Sequence, residues 1–228
     1  MKESPSDSAY GRTNWRKFAV SIGVPLAVAA GLVIAMEQGA IAASFAVSGT
    51  SFKLSADELT GKGFTQYSDA IPQTTNADAA GRKITAISGI DSASIAKLCQ
   101  TVTAPSPFGG SIVMRIDAGK VDPNADAATQ EAQKVHADHL LIGMSDLQGD
   151  ATFTNIQIGV DAQSMGAPAV PGSAGPAAGG FGQQADVVDI KNLKQTATYT
   201  SAGTFTLTGM HLHLFVGSKA TDNECFAG

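Results

Sequence analysis

Apolar and polar residues alternate with period 2 along most of the chain after residue 43, and each such stretch predicts a strand. Phe45, Val47 and Gly49 alternate with Ser44, Ala46 and Ser48, and Phe52 and Leu54 resume the pattern after a Gly-Thr break. Further runs of strand type occupy residues 84–87, 112–116, 139–142, 153–158, 187–190 and 204–216. Gly, Asp or Asn clusters punctuate nearly every run, which reads as short strands joined by turns. The fold class this predicts is all-β.

Two segments depart from the alternation. Asp122-Pro123-Asn124 followed by ADAATQEAQKVHA has a helix-favouring composition and a start signal, but no strong apolar stripe. It predicts a short surface helix or an ordered loop. Residues 166–182, GAPAVPGSAGPAAGGFG, hold six Gly, five Ala and three Pro. This composition predicts a flexible surface loop that buries no core.

A phrase recurs. Leu147-Gln-Gly-Asp-Ala-Thr-Phe-Thr154 and Leu193-Lys-Gln-Thr-Ala-Thr-Tyr-Thr200 agree at five of eight positions, and Leu59-Thr-Gly-Lys-Gly-Phe-Thr65 is a shorter version. Stacked or paired copies predict an elongated sandwich or a β-roll, with Phe153 and Tyr199 in equivalent places on neighbouring or stacked strands. The Leu and the aromatic residue are six apart, so both point inward from an unbroken strand, whereas a bulge at Gly149 turns Leu147 outward. The competing reading is common strand-and-turn wording, and the sequence does not choose between them.

The N-terminal region is different in kind. Arg12, Arg16 and Lys17 precede an uncharged run at residues 18–36. As a helix these residues reach about 28 Å, close to the hydrocarbon thickness of a bilayer. The basic flank assigns residues 1–17 to the cytoplasm, residues 18–37 to a transmembrane anchor or signal helix, and residues 38–228 to an extracytoplasmic domain. The expected location is the cell membrane, single-pass. Ala40-Ile41-Ala42 supplies the alternative, secretion after cleavage before Ala43. The first 37 residues carry four basic and three acidic groups, so the totals of 15 and 20 leave 11 basic and 17 acidic beyond them. A net −6 surface with no Lys/Arg cluster excludes a nucleic-acid partner.

Candidate chemistry is sparse. Cys99 and Cys225 are the two cysteines, with no metal-ligand spacing, and outside the cytoplasm they predict a disulfide. His211 and His213 on a strand share one face and are the weak metal candidates, with His136 and His139 as more distant additions. Asp122-x-Asn124-x-Asp126 begins like a calcium loop, but Ala127 and Gln133 stand where Gly and Glu belong. Ser145 and Ser111 each follow a Gly at the right spacing for a nucleophile elbow, yet neither motif closes with Gly. No Gly-rich phosphate loop follows a strand. No catalytic residue and no cofactor are implied.

Several phrases occur together: residues 42–49, Lys53-x-Ser-Ala-Asp-x-Leu59, Asp150-Ala-Thr-Phe-Thr-Asn-Ile-x-Ile-Gly159, Gln195-Thr-Ala, Ala202-Gly-Thr-Phe-x-Leu-x-Gly209 and Asn223-Glu-Cys225. With them the chain resembles a family of actinobacterial exported cell-envelope proteins, a domain of unknown function, some of whose members are labelled cholesterol esterase. The resemblance implies an envelope location and a small multi-span membrane protein as partner, with no established activity. The expected function is a non-enzymatic, membrane-tethered protein that binds a partner protein or an apolar lipid-like ligand. The alternatives are a lipid or sterol esterase with a dispersed triad and a structural surface protein assembling through sheet edges.

Overall fold

The computed structural model describes residues 50–72, 82–106 and 109–227. The cytoplasmic segment, the helix at 18–37, the cleavage site before Ala43 and the strand at 44–49 lie outside the described residues. Among the described residues no helix is long and apolar enough to cross a membrane.

Strands dominate, as expected, but four of them are far longer than the punctuated runs suggest. β1 (Phe52–Pro72), β2 (Arg82–Ala96), β5 (Val135–Thr154) and β7 (Phe181–Ser201) are 15 to 21 residues long. β1 pairs with β2, β2 with β5, β5 with β7, and β7 returns to β1, all antiparallel. The hydrogen-bonded circuit therefore closes into a ring. This single closed sheet replaces the stacked sandwich or β-roll that the repeated phrase suggested. β3 (Leu98–Pro105) carries the β2 register onward along β1. β6 (Gln157–Asp161) does the same for β5 along β7, and β8 (Thr204–Thr206) for β7 along β5. β4 (Ser111–Ala118) and β9 (His211–Gly217) extend from β3.

A straight 21-residue strand would measure about 70 Å, so the long strands must bend. They bend at aspartates flanked by left-handed residues. Asp57 lies between Lys97 (φ 49°) and Asn192 (φ 53°), where pairing lapses on both sides of β1. Asp91 lies between Gly63 (φ 68°) and His139 (φ 51°). Asp186 lies between Gly63 and Asn155 (φ 55°). The four non-glycine residues with positive φ among the described residues are Lys97, His139, Asn155 and Asn192, so every one belongs to this arrangement. Gly63 is required: a Cβ there would sit 2.1 Å from Asp91 Oδ2. The Asn155 amide donates to Asp186 (2.6 Å), and Lys97 pairs with Asp57.

The ring encloses one apolar cluster that includes Leu54, Leu59, Phe64, Leu140, Val188 and Leu193. A second cluster, Tyr67, Ile71, Ile87 and Leu141, lies under the segment that follows the 3-10 turn Ala162–Met165. Leu140 and Leu141 thus face opposite cores, which is why that strand reads as an unbroken apolar run. The Gly/Ala/Pro segment was expected to bury nothing, and here the structure corrects the reading. Ala167 and Val170 are buried, and Tyr67 Oη donates to Pro168 O (2.8 Å). Gly175 N donates to Asp69 Oδ2 (2.8 Å), and Gly179 N to Asp161 Oδ2 (3.1 Å). Small residues let this strap lie close on the ring, where backbone amides meet carboxylates. Burial, with the charge of Asp69 adding to it, pushes the Tyr67 phenol up to about 12.

The predicted helix is present as α1 (Ala127–Gln133), capped by Asp126 and with no buried residue. The predicted strand at 153–158 breaks at Asn155, and the one at 204–216 divides into β8 and β9 around the turn at Thr208-Gly209. The repeated phrases lie on neighbouring strands that run antiparallel, so Phe153 and Tyr199 are not equivalent. Phe153 faces Val188 and packs on Phe64 with ring centroids 5.3 Å apart, whereas Tyr199 faces Gly143 and packs in the second cluster. The register slips at Gly149, and Leu147 is 40% exposed against 1% for Leu193 and 2% for Leu59. Leu193→Ala and Leu59→Ala are therefore expected to cost about 2–5 kcal/mol in urea unfolding. Leu147→Ala should cost less than about 1 kcal/mol, and equal losses at all three would contradict the bulge.

Candidate functional site

β3, β4 and β9 leave the ring as a three-stranded wing whose two faces differ completely. Alternation along each strand places Thr101, Arg115 and His213 side by side on one face, next to the row Cys99, Asp117 and His211. The C-terminal segment folds back over this face. Cys225 bonds Cys99 with Cα atoms 5.7 Å apart, as the two-cysteine count predicted. Ala220 is buried in the short turn Ala220–Asn223. Lys53 Nζ donates to Glu224 Oε2 (2.6 Å) and to Phe226 O (3.0 Å), and the Thr103 hydroxyl donates to the other Glu224 oxygen. Arg115 grips Asp117 through Nε (2.8 Å) and its terminal amine (2.9 Å). The C-terminus is thereby clasped to the start of β1.

Between clasp and edge runs an open groove of about 630 Å³, lined by His211, His213, the disulfide, Arg115, Asp117 and Lys97. His211 Nδ1 lies 3.2 Å from His213 Nε2, and the His213 ring stacks on Phe215 at 6.0 Å. Both imidazoles are exposed. The other two histidines are elsewhere: His136 Nε2 contacts Glu131 O (2.9 Å) beside the helix, and His139 lies at the ring bend. Among the described residues, no group of three or more His, Cys, Asp or Glu is placed to hold a metal ion within one chain. The calcium-like residues serve the backbone instead. Asp122 Oδ1 accepts from Asn124 N, and Asp126 accepts from the backbone and hydroxyl of Thr129.

The opposite face of the wing is apolar, and no described residue covers it. Phe52 on β1 faces the core, its neighbour across the sheet is Val102, and the same row continues to Met114 and Leu214. Exposure rises along this row, to 37% at Met114 and 63% at Leu214. Leu212 and Val216 flank Leu214 on the edge strand, opposite Ile116 and Ile112. Among the described residues the interior face of the ring thus runs outward without a second layer.

Neither serine singled out by spacing meets a histidine: Ser145 Oγ donates weakly to Thr196 O (3.4 Å), and no histidine hydrogen-bonds Ser111 among the described residues. A set that no motif announces does share a cleft. Ser201, His139 and Asp91 line an opening of about 460 Å³ with Ile90, Leu140 and Pro168, beneath the strap. Among the described residues no side-chain hydrogen bond links the three. No signal in the sequence brings them together: Asp91 and His139 lie inside β2 and β5, and Ser201 ends β7. A second trough of about 630 Å³ is lined by Asp91, Asp186, Asn155 and Gln184 together with Phe64, Met165 and Pro168.

The geometry defines an all-β domain built on a closed antiparallel ring, with a wing stapled by one disulfide. The chain belongs to the family of unknown function DUF6230, which matches residues 48–226. Comparison with curated proteins and with solved structures gives no match.

Glu224 gives the clasp a pH dependence. Burial alone would raise its carboxyl, but the hydrogen bonds from Lys53 and Thr103 and the Lys53 charge outweigh that and hold it below the usual glutamate value. A depressed carboxyl contributes stability that is complete above its unfolded value and is lost as pH falls through its folded value. The thermal midpoint should therefore drop between about pH 5 and pH 3, and Glu224→Gln should flatten that drop. An unchanged slope in Glu224→Gln would remove the clasp from the acid response.

Proposed function

We propose that this is a non-enzymatic, membrane-tethered protein of the cell envelope whose β domain binds a partner protein through the uncovered face of the wing. The observation that carries this reading is the row from Met114 to Leu214, with Leu212 and Val216 beside it at 54% and 61% exposure. Contiguous exposed apolar surface of this kind is the usual mark of a protein interaction site. The open cavities support a lipid-like ligand less well, since charged or amide side chains stand among the apolar residues that line each of them. A small multi-span membrane protein, the partner implied by the resemblance, would present the apolar surface that such a face needs. The apolar run at 18–36 supports the tether, and cleavage before Ala43 would give the same domain in secreted form.

A photo-crosslinking residue at Leu214 tests the reading in cells that make the full chain. A discrete adduct is expected at Leu214 and at Met114, but not at Ile158, which is 67% exposed on β6. Val216→Lys should suppress the adduct. Equal labelling at Ile158, or none at Leu214, would overturn the proposal.

The cleft containing Ser201, His139 and Asp91 favours a second reading, an esterase. The left-handed backbone at His139 adds to it, because strained residues concentrate at functional sites. On the primary reading the purified full chain releases no acid from short-chain or sterol esters above a Ser201→Ala control. Turnover abolished by both Ser201→Ala and His139→Ala would install the esterase instead.

A further inference from the structure

Among the described residues β9 is the last strand of the sheet, so its outer edge carries backbone donors and acceptors with no described strand beside them. Edge strands are ordinarily protected by lysine, proline or a bulge. β9 reads HLHLFVG and pairs with β4 in unbroken register, so it has none of the three. Its two faces are chemically pure: imidazoles and Phe215 on one, Leu212, Leu214 and Val216 on the other. An extended strand is the partner such an edge accepts, and the histidines specify which one.

The His211 Nδ1 and His213 Nε2 nitrogens are hydrogen-bonded at 3.2 Å, a bond that an ion would replace by taking the lone pairs of both. Two ligands at adjacent corners of a tetrahedral zinc site, each about 2.05 Å from the ion, are separated by about 3.3 Å. The pair is therefore spaced as half of a zinc site, and no third ligand is available from the same chain among the described residues. A second copy supplies the other half. If β9 pairs antiparallel with β9 of another copy about Leu212, His211 falls opposite the partner's His213, and His213 opposite the partner's His211. Side chains directly opposite in an antiparallel pair have Cβ atoms about 4.5–5.5 Å apart, so four imidazoles converge on one face. On the other face Leu212 meets its own counterpart, and Met210 meets Leu214. A register centred on Leu214 would set His211 against Gly217 and scatter the imidazoles. Arg115, which faces His213, has its charge matched by the Asp117 fork.

We infer that β9 is a self-pairing edge that binds one zinc-class ion between two copies of the chain, through His211 and His213 of each. The inference rests on reading the wing as a binding surface. It uses the edge, leaves the apolar face free, and joins two such faces side by side.

The test is sedimentation velocity of the full chain in density-matched detergent with zinc chloride as the only added ligand, together with titration calorimetry. Zinc is expected to convert a one-chain species to a two-chain species at one zinc per two chains, reversed by chelator. His211→Ala and His213→Ala should each weaken zinc binding at least tenfold and abolish the two-chain species. Leu212→Lys, which alters no ligand, should prevent pairing while leaving the unfolding midpoint unchanged. Zinc bound at one per chain by a single-chain species overturns the inference. So does a two-chain species indifferent to both histidine substitutions, or no response to zinc. Adducts from Leu214 to a different protein, together with no two-chain species on adding zinc, would leave the partner reading standing while the zinc-bridged pair falls.

Discussion

The bend imposed by an aspartate between left-handed neighbours is the constraint on which the architecture depends. Strands of up to 21 residues cannot remain straight inside a domain of this size, and a sheet that does not bend cannot return from β7 to β1. Asp57, Asp91 and Asp186 mark the places where pairing lapses and direction changes. Each left-handed residue is tolerated for its own reason. Asparagine adopts this conformation readily, Gly63 has no Cβ to clash, and Lys97 is held by its ion pair with Asp57. His139 has no such compensation in its hydrogen bonding, which sets it apart from the other three.

Once the ring closes, its long strands have no free edge over most of their length, and what is exposed follows from what extends beyond the ring. β3 continues past Lys97 along β1 but no longer faces β5, so β4 and β9 take up its other side. Lys97 N donates to Gly119 O (2.7 Å) at this fork. The wing therefore begins at a bend, and its inner face is a core face with no opposite wall among the described residues. The disulfide and the Glu224 clasp cover the outer face alone. Stabilisation and exposure are divided between the two sides of one three-stranded sheet.

Much of this was legible in the sequence where local chemistry decides it. Period-2 alternation announced the strands, two cysteines announced the staple, and Asp122-Pro123-Asn124 with the Ala/Gln/Glu run after it announced the one described helix. His211 and His213 could be placed on one face from their spacing alone. Strand length was not legible, because glycines, asparagines and aspartates normally end strands, and here they sit opposite one another inside them. Burial of the strap was equally hidden, since Val170 is its only large aliphatic residue and the contacts that seat it come from Tyr67 and Asp69, a hundred residues away. Closure through β1 and β7 joins residues more than a hundred positions apart and leaves no local trace. The same is true of the cleft shared by Ser201, His139 and Asp91.

The position of the clasp has a mechanical consequence. Phe52 to Ser55 are the first residues of β1, and there β1 is hydrogen-bonded on both sides, to β3 and to β7. A pull on the chain at residue 50 runs along the strand, so it must shear two ladders at once instead of peeling one bond at a time. Lys53 ties the same rungs to Glu224, and Glu224 is the neighbour of a cysteine covalently joined to β3. Load arriving from the N-terminal side is thus shared with the C-terminal end of the chain across a few ångströms. The start of β1 is thus held by two ladders and an ion pair, with the disulfide one residue from that pair.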